Sequence, residues 1–299
     1  MTALKTEGLG KRYRPTWGLR DCTFELPAGR VAALVGPNGA GKTTLLHLAV
    51  GLLTPSAGRI WVLGGSPEHR LRDILPRIGF VAQDHPLYRD FTVEETLTMG
   101  RALNPGWDAG LAVERLRGLH IPMNRRVGSL SGGQRAQVAL SLALGKRPEL
   151  LLLDEPLASL DPLARREFLG SLMDAVSETG MTVLLSSHDI GGLERVCDHL
   201  VILDSSRVRL EGDIAEILDS HRRLVGPSRD HERIANVQAV VQASQADRQA
   251  SLLARVGGPI LDPAWDVRDV TLEDIVLGYL ASSSSESDER SRPSLEVAR

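Results

Sequence analysis

The chain has 299 residues, of which 42% are hydrophobic and 24% are charged, a composition typical of a globular protein with a sizeable core. Its formal net charge of −3 argues against nucleic acid as the main partner. Cys22 and Cys197 are its two cysteines, which argues against a disulfide framework and favours a reducing compartment.

The apolar pattern predicts no membrane-spanning element. No stretch approaches the roughly 18 uninterrupted apolar residues that a spanning helix needs, and residues 1–14 lack the apolar segment of a signal peptide. We therefore expect a cytoplasmic chain, in which any membrane role requires a second polypeptide.

The elements, taken in chain order, predict an α/β fold. Residues 4–26 predict short strands broken by glycines between Gly8 and Gly18, as at an antiparallel edge. Periodicity predicts helices over 42–53 and 163–176. Such helices alternate with buried apolar strands, which predicts a parallel sheet covered on both faces. These strands are expected at residues 30–35, 78–82, 150–153, 182–186 and 200–203, with a final strand at 208–210.

Three segments change character along the chain. Residues from about 84 to 145 have helical periodicity and few strand signals, which predicts a helical insertion. Residues 221–280 predict a small α+β appendage that ends in a helix over 272–280, with Thr271 and Asp274 spaced as a capping box. Residues 281–299 are rich in Ser, Glu and Arg, and we expect them to be disordered.

A phosphate-binding loop is predicted between the strand at 30–35 and the helix that follows. The glycines let backbone N–H groups turn inward around phosphates, and the helix start adds its positive dipole end. Lys42 would reach the β- and γ-phosphates of ATP, Thr43 would coordinate Mg²⁺, and Thr44 would contact the α-phosphate. The loop is Gly36-Pro37-Asn38-Gly39-Ala40-Gly41-Lys42-Thr43-Thr44, a match to G-x-x-x-x-G-K-[ST].

Two carboxylates follow the apolar strand 150–153. Asp154 and Glu155 precede Pro156, at the carboxyl end of the strand, where ligands bind in open α/β sheets. Asp154 would hold Mg²⁺, and Glu155 would orient the attacking water as general base. The alternative is a simple strand-ending turn, which the nearby phosphate loop disfavours.

The sequence Leu130-Ser131-Gly132-Gly133-Gln134 resembles the signature of ATP-binding cassette (ABC) ATPases, and the resemblance covers residues 1–220. It implies a RecA-like P-loop NTPase core with an antiparallel β subdomain, the helical insertion and the C-terminal appendage. Within the family, the stretch Thr271-Leu272-Glu273-Asp274-Ile275 resembles the end of many cassettes of bacterial ABC-2-type exporters. This resemblance implies an ATPase that energises export through a separate membrane permease, peripheral on the inner face of the membrane.

The resemblance implies further site residues. Tyr13 resembles the aromatic that stacks on adenine, although packing on an edge strand is the alternative. Gln83 resembles the glutamine that senses the γ-phosphate and joins the Mg²⁺ ligands, and His188 resembles the switch histidine. Asp161 closes a Ser-Leu-Asp sequence that resembles the D-loop of the family.

The signature also predicts a second helix start, at Ser131 to Gln134, and a second helix start is a second anion site. One ATP has one γ-phosphate, so two such sites on one chain need an explanation. In the family architecture two copies pair head to tail, and the signature of one copy closes over ATP bound to the other. We expect a homodimer, with a heterodimer as the alternative.

Two rival functions remain at this stage. Non-transport ABC ATPases carry two cassettes or long coiled coils, whereas this chain has one cassette and no long heptad run. A P-loop kinase would lack the signature and the switch histidine. The transported cargo is not encoded in this chain, since the family places cargo recognition in the membrane subunit.

Overall fold

The computed structural model describes residues 1–228, 234–246 and 249–291. The chain divides into two compact units, Met1–Val208 and Arg209–Arg299. Among the described residues, no helix combines the length and the apolarity that crossing a bilayer demands.

The elements of the first unit alternate as predicted for an α/β fold. Its strands are β1 (Thr2–Tyr13), β2 (Thr16–Pro27), β3 (Val31–Val35), β4 (Ala57–Val62), β5 (Ile78–Val81), β6 (Leu150–Leu153), β7 (Thr182–Ser187) and β8 (His199–Asp204). Its helices are α1 (Lys42–Ala49), α2 (Pro67–Ile74), α3 (Val93–Leu103), α4 (Ala109–Gly118), α5 (Gly132–Leu144) and α6 (Pro162–Thr179).

The parallel sheet is the centre of this unit and confirms the predicted fold class. Strands β5, β6, β7, β3 and β8 lie side by side in that order, and each neighbouring pair is parallel. Strands β3, β6, β7 and β8 are buried along their whole length, because helices must cover both faces of a parallel sheet. The carboxyl ends of β3, β5, β6 and β7 therefore meet at one edge.

The antiparallel sheet has the order β2-β1-β4, and it differs from the prediction in one respect. We expected short strands broken at glycines, whereas β1 and β2 are twelve residues each. Register shifts between Thr6 and Leu9 and between Leu9 and Lys11 absorb the glycines as bulges. Gly8 has a φ of 55°, a conformation that glycine adopts without strain.

The helical insertion forms its own small core. Helices α3, α4 and α5 lie within the predicted range of 84–145. Thr92 and Glu95 close a reciprocal capping box at the start of α3, which fixes where this helix begins. Seven buried side chains fill the core between the helices: Val93, Leu97, Ala112, Leu116, Ile121, Leu130 and Val138.

The second unit is a small antiparallel sheet with helices, as the α+β prediction required. Strand β9 (Arg207–Asp213) spans the division between the units, and α7 (Ile214–Ser220) follows it. Strands β10 (His221–Pro227), β11 (Val237–Ala246), β12 (Gln249–Val256) and β13 (Asp266–Arg268) form a sheet in the order β11-β12-β10-β13. The last helix is α8 (Leu272–Ser291).

The boundaries of this unit differ from the sequence prediction in two places. The compact units divide after Val208, whereas we placed the boundary at 220. Helix α7 belongs to the second unit because the buried His221 side chain bonds the Ile217 carbonyl through Nδ1 (2.7 Å) and the Tyr279 hydroxyl through Nε2 (3.1 Å). Burial and two nearby arginines lower the pKa of His221, so the neutral imidazole is the form that these bonds hold.

The second difference is the length of the final helix. The predicted capping box is present, since Thr271 Oγ1 accepts from Asp274 N and Asp274 Oδ2 accepts from Thr271 N, both at 3.1 Å. The helix then continues to Ser291, past the point where we expected disorder, although six of the residues from 281 to 291 are serine, a weaker helix former than glutamate or arginine. Residues 292–299 of the predicted disordered tail lie outside the described residues.

Candidate functional site

The phosphate loop joins β3 to α1 at the carboxyl edge of the parallel sheet. Gly41 precedes α1 with a φ of 109°, and no side chain caps this helix start. Its first N–H groups therefore remain available to an anion. A Cβ at Gly41 would collide with the Gly18 carbonyl oxygen, and one at Gly36 would collide with the Leu203 carbonyl oxygen. Both positions need glycine for close backbone packing.

Lys42 folds back over this loop. Its Nζ donates to the Gly36 carbonyl at 2.6 Å and to the Pro37 carbonyl at 3.2 Å. The same nitrogen lies 3.1 Å from Glu155 Oε1, an ion pair that lacks hydrogen-bond geometry. Lys42 is only 5% exposed, so its ammonium is a buried cation at the mouth of the loop.

Asp154 and Glu155 are held by β7 as well as by their own strand. Ser186 on β7 donates to Asp154 Oδ1 (2.8 Å) and accepts from the Glu155 backbone N–H (2.8 Å). Glu155 has a φ of 45°, a left-handed conformation that costs about 1 to 3 kcal/mol for a non-glycine residue. His188 Nδ1 lies 2.8 Å from Glu155 Oε2. The Glu155 carboxylate thus lies between Lys42 and His188.

The remaining residues of the predicted nucleotide site surround this cluster. Asn38 and Gly39 lie exposed at the loop apex, and Gly39 has a φ of 83°. Gln83 is exposed and lies two residues beyond Val81, the last residue of β5. The Val81 carbonyl accepts from the Asp154 N–H at 2.9 Å, so Gln83 lies near Asp154. Thr43, in the first turn of α1, is half-buried. These residues belong to the same edge of the sheet.

Tyr13 approaches the loop from the end of β1. Its hydroxyl lies 3.5 Å from Thr44 Oγ1, and Gly18 leaves room for its ring, since a Cβ there would lie 2.7 Å from a ring carbon. Lys11 Nζ is 5.8 Å from the ring centroid. The ring is 44% exposed, so one face remains available for a planar base to stack on.

The signature residues lie elsewhere in the first unit. Ser131 caps α5 with its own box: Ser131 Oγ accepts from Gln134 N at 3.2 Å, and Gln134 Oε1 accepts from Ser131 N at 3.1 Å. Ser131 is exposed, and Gly132, Gly133 and Gln134 are half-buried. In the described part of the chain, no hydrogen bond or ion pair connects Ser131 or Gln134 to the phosphate loop.

Asp161, which resembles the D-loop aspartate, lies beside Ser131 to Gln134 rather than beside the phosphate loop. Its carboxylate caps α6 by accepting from the N–H groups of Leu163 and Ala164, each at 3.0 Å. A Cβ at Gly133 would lie 2.9 Å from Ala164 Cβ, which places the starts of α5 and α6 in contact. The structure therefore divides the predicted site into two clusters, one around Lys42 and one around Ser131.

Sequence reasoning missed Ser186 and assigned it only to a strand end. Ser186 is fully buried, and its hydroxyl bonds the Asp154 carboxylate and the Glu155 backbone N–H, as described above. A signal was present, because the apolar run of β7 ends in two serines, Ser186 and Ser187, that are still part of the strand. A buried hydroxyl in an apolar strand needs a polar partner, and the nearest strand end carries Asp154.

The donor set around the loop suits Mg²⁺. Thr43, Gln83 and Asp154 offer hydroxyl, amide and carboxylate oxygens, which are the ligands that this cation prefers. Asp154 is 1% exposed, with one oxygen bonded to Ser186. This arrangement leaves the second oxygen for a metal-bound water or the cation itself.

An apolar groove lies within the first unit between the parallel sheet and the helical insertion. It has a volume of about 490 Å³ and is lined by residues such as Phe80, His85, Leu142 and Lys146. Burial and the nearby Arg135 lower the pKa of His85, and its Nε2 has no hydrogen-bond partner among the described residues.

Tyr88 and Phe91, which follow Gln83, stack on each other with ring centroids 5.1 Å apart. Tyr88 is 63% exposed and Phe91 36%. Neither ring belongs to the buried core of the helical insertion, so the two rings form a small exposed aromatic patch.

Comparison with known proteins identifies the family. The family model described as "ABC transporter" matches residues 19–158, and a model described as "AAA domain, putative AbiEii toxin, Type IV TA system" matches residues 124–193. The molybdenum import ATP-binding protein ModC of Rhodobacter capsulatus is 36% identical over 250 residues, which are 81% of this chain and 68% of that protein. The Nod factor export ATP-binding protein I of Rhizobium johnstonii is 35% identical over 218 residues, 70% of this chain and 69% of that protein.

The fold agrees with the sequence comparison. The dimeric post-hydrolysis state of the ATP-binding cassette MJ0796, bound to ADP and Pi, superposes with a TM-score of 0.63 at 25% identity, over 71% of this chain and 98% of that chain. The chain therefore belongs to the ABC transporter family, as an ATP-binding subunit with the cassette fold and ATPase activity.

Proposed function

We propose that this subunit hydrolyses Mg-ATP in a site shared between two copies of the chain, and that closure of the pair energises export through a separate membrane permease. The cluster of Lys42, Glu155 and His188 is the observation that carries this proposal. It joins a phosphate-binding cation to a carboxylate that can act as general base.

The residues of the cluster have distinct roles in this proposal. The N–H groups at the start of α1 and the Lys42 ammonium bind the β- and γ-phosphates, and Mg²⁺ neutralises part of their charge when bound. Glu155 orients the attacking water and accepts its proton. His188, 2.8 Å from the Glu155 carboxylate, holds that carboxylate in place and senses the terminal phosphate. Thr43, Gln83 and Asp154 hold the metal, Thr44 contacts the α-phosphate, and Tyr13 stacks on adenine.

Pairing of two copies of the chain would give the cluster around Ser131 a role. Ser131, Gly132, Gly133 and Gln134 belong to an exposed helix start without a phosphate of its own. In a head-to-tail pair this start would close over the γ-phosphate bound to the other copy, with Asp161 at the same interface. ATP would favour the closed pair because it contacts both halves only there, and phosphate release would open it. The dimeric cassette with bound ADP and Pi supports this arrangement.

The variant Glu155→Gln tests the shared site. The amide keeps the size of the side chain but cannot accept the proton, so hydrolysis should fall by about 10² to 10⁴-fold while ATP binding persists. Size-exclusion chromatography with light scattering should then show an ATP-dependent pair. A variant that binds Mg-ATP and remains a single chain at saturation would contradict a homodimer and leave the heterodimer.

The groove and the exposed pair Tyr88 and Phe91, which follow its lining residue Leu87 along the chain, are the proposed docking site for a cytoplasmic helix of the permease. Residues 83–101 contain both Gln83 and this aromatic pair, so the nucleotide and the permease would act on one segment. Replacing Tyr88 or Phe91 by alanine should reduce transport severalfold while ATP binding stays unchanged, since neither ring contacts the phosphate loop. Unchanged transport in both variants would contradict the docking role.

Export is the direction we propose. The C-terminal unit and the similarity to a Nod factor export subunit support export, whereas ModC and the phosphonate subunit PhnC of Thiobacillus denitrificans are named for import. Proteoliposomes that contain the complex with its permease, with ATP outside, discriminate the two. Export predicts that cargo supplied on the ATP side accumulates inside the vesicle, and cargo leaving a preloaded vesicle would indicate import.

A further inference from the structure

Arg165, in the first turn of α6, folds back over the segment that leads into its own helix. Its backbone N–H donates to the Asp161 carbonyl at 2.9 Å, as the helix requires. Its side-chain Nε donates to the Leu160 carbonyl at 3.0 Å and to the Leu157 carbonyl at 3.1 Å. The guanidinium therefore holds residues 156–161, the segment that follows the proposed general base.

The same guanidinium reaches the loop that follows β7. Arg165 Nη1 donates to Asp189 Oδ2 at 3.4 Å, and Asp189 directly follows His188. Asp189 is itself fixed in its loop, because its Oδ1 accepts from the Gly191 N–H at 2.9 Å and its carbonyl accepts from the Ser187 hydroxyl at 2.6 Å. One side chain thus joins the loop after β6 to the loop after β7.

The two loops carry groups that meet in one small cleft. Glu155, Arg165, His188 and Asp189 line this cleft, which has a volume of about 40 Å³. Within it, His188 Nδ1 lies 2.8 Å from Glu155 Oε2. Glu155 has a left-handed backbone conformation, with a φ of 45°, and such a conformation persists only where the surroundings hold it. Arg165 holds the segment that leaves this strained residue.

We propose that Arg165 is a positioning residue for ATP hydrolysis, which keeps the loops after β6 and β7 at the separation that places His188 against the Glu155 carboxylate. This inference rests on the proposed roles of Glu155 and His188 and adds the group that sets their geometry. Arginine suits the task, because its planar guanidinium carries donors that point in different directions and stays charged at neutral pH.

The effect of Arg165 should fall on the chemical step. In the described part of the chain, its side-chain hydrogen bonds go to Leu157, Leu160 and Asp189, none of which belongs to the phosphate loop. A displacement of about 1 Å at a catalytic group can cost up to about 100-fold in rate. Loss of Arg165 should therefore slow hydrolysis while ATP still binds.

The variant Arg165→Ala tests this expectation, with Arg166→Ala as the matched control. Arg166 is the next residue of the same helix and is exposed. Arg165→Ala should lower the single-turnover rate of hydrolysis at least about tenfold and change the Mg-ATP dissociation constant less than about twofold. Arg166→Ala should change neither. Both are measured on the full chain, well below the melting temperature of each variant, so that a loss of stability alone does not appear as a loss of rate.

Two conservative variants carry the same comparison and remain informative if Arg165→Ala does not fold. Arg165→Lys keeps the charge, but a single ammonium cannot reach both the carbonyls and Asp189, so it should recover only part of the rate. Asp189→Asn keeps the acceptor for the Gly191 N–H and removes the charge opposite Arg165. Asp189→Asn should lower the rate less than Arg165→Ala, because the bonds to the carbonyls remain.

A double-mutant cycle with His188→Ala separates positioning from a structural role. If Arg165 acts through the contact between His188 and Glu155, the contact is already absent in His188→Ala. Adding Arg165→Ala to that variant should then lower the single-turnover rate less than about threefold, against at least about tenfold in the wild-type background. A structural role would lower the rate by the same factor in both backgrounds.

Three outcomes would overturn the inference: a wild-type rate in Arg165→Ala, an equal loss in Arg166→Ala, or the same factor in both backgrounds of the cycle. Glu155→Gln and His188→Ala are measured beside them. If both of these keep the wild-type rate, the proposed catalytic roles fail and the positioning role fails with them. If both lose activity while Arg165→Ala does not, the positioning role alone is wrong.

Discussion

The N-termini of α1 and α5, both in the first unit, are both expected to bind phosphate. They differ in burial and in how their backbone N–H groups are capped. Helix α1 begins after a left-handed glycine, without a side-chain cap, and its first residue is the buried Lys42. Helix α5 begins with a complete capping box between Ser131 and Gln134, at an exposed position. The first start leaves its N–H groups open to a ligand, whereas the second satisfies two of its own donors.

This difference indicates an order of events. An uncapped helix start with a buried ammonium is suited to bind triphosphate within one chain. A capped and exposed start adds its dipole and the Ser131 hydroxyl hydrogen, which the cap leaves free to donate. We therefore expect α1 to determine whether ATP binds and α5 to determine whether two copies close.

The largest effect should follow from Lys42→Ala. Removing the ammonium takes away charge-assisted hydrogen bonds of about 3 kcal/mol, so the ATP dissociation constant should rise about 100-fold. Lys5→Ala, another lysine with an acidic partner (Glu7 at 2.9 Å), is the matched control and should bind ATP normally. Isothermal titration calorimetry on the single chain measures both. Equal loss of affinity in the two variants would mean that α1 is not the primary site.

The next largest effect, on ATPase activity, should come from a change at the N-terminus of α5. Ser131→Asp keeps an oxygen that caps α5 but places a negative charge where the partner's phosphate is expected. ATP affinity of the single chain should be unchanged, and ATPase activity should fall about 100-fold, since like charges at a closed interface cost several kcal/mol. Ser131→Asn, which keeps the cap without the charge, is the control and should lose less. Full activity in Ser131→Asp would remove α5 from the site.

Glycine substitutions should separate the strain of the phosphate loop from its packing. Gly41→Ala meets both a left-handed φ and a collision with the Gly18 carbonyl, whereas Gly39→Ala meets a left-handed φ with nothing within 4 Å. Gly39→Ala should cost about 1 kcal/mol of unfolding free energy, and Gly41→Ala at least about 2 kcal/mol. Urea denaturation of the two variants measures the difference. Equal costs would show that the close packing at Gly41 is relieved without loss.

The smallest effect should come from Gln134→Ala. It removes one of the two capping bonds at α5, which is worth about 0.5 to 1 kcal/mol. The melting temperature should fall by a few degrees, and ATP binding by the single chain should not change. A loss of ATP affinity would mean that the α5 start also acts within one chain.

The sequence predicted the positions of most strands and of the phosphate loop, because apolar runs and the glycine-lysine pattern are visible within short stretches of sequence. Apolar runs located β3, β6 and β7 almost to the residue, and the glycine-lysine pattern located the start of α1. Two twelve-residue strands were missed because glycines at a bulge and glycines at a turn look alike in sequence. The length of α8 was missed because a polar helical segment and a disordered segment have similar composition.

The candidate site was predictable only as a set of residues. Motif order brought Lys42, Glu155 and His188 to one edge of the sheet, where the structure places them in contact. The role of Ser186 depends on β6 and β7 being neighbours, which no single stretch of sequence contains. The self-capping of Ser131 was missed because its pattern was interpreted only through the family signature.

Mixing two inactive variants tests the shared site most directly. A mixed pair of Lys42→Ala and Ser131→Asp chains has one site with both defects and one that joins the intact Lys42 of one copy to the intact Ser131 of the other. Equal mixing should restore ATPase activity to about a quarter of the wild-type rate, since half of the pairs are mixed and each has one intact site. Activity no higher than the sum of the separate variants would contradict the shared site.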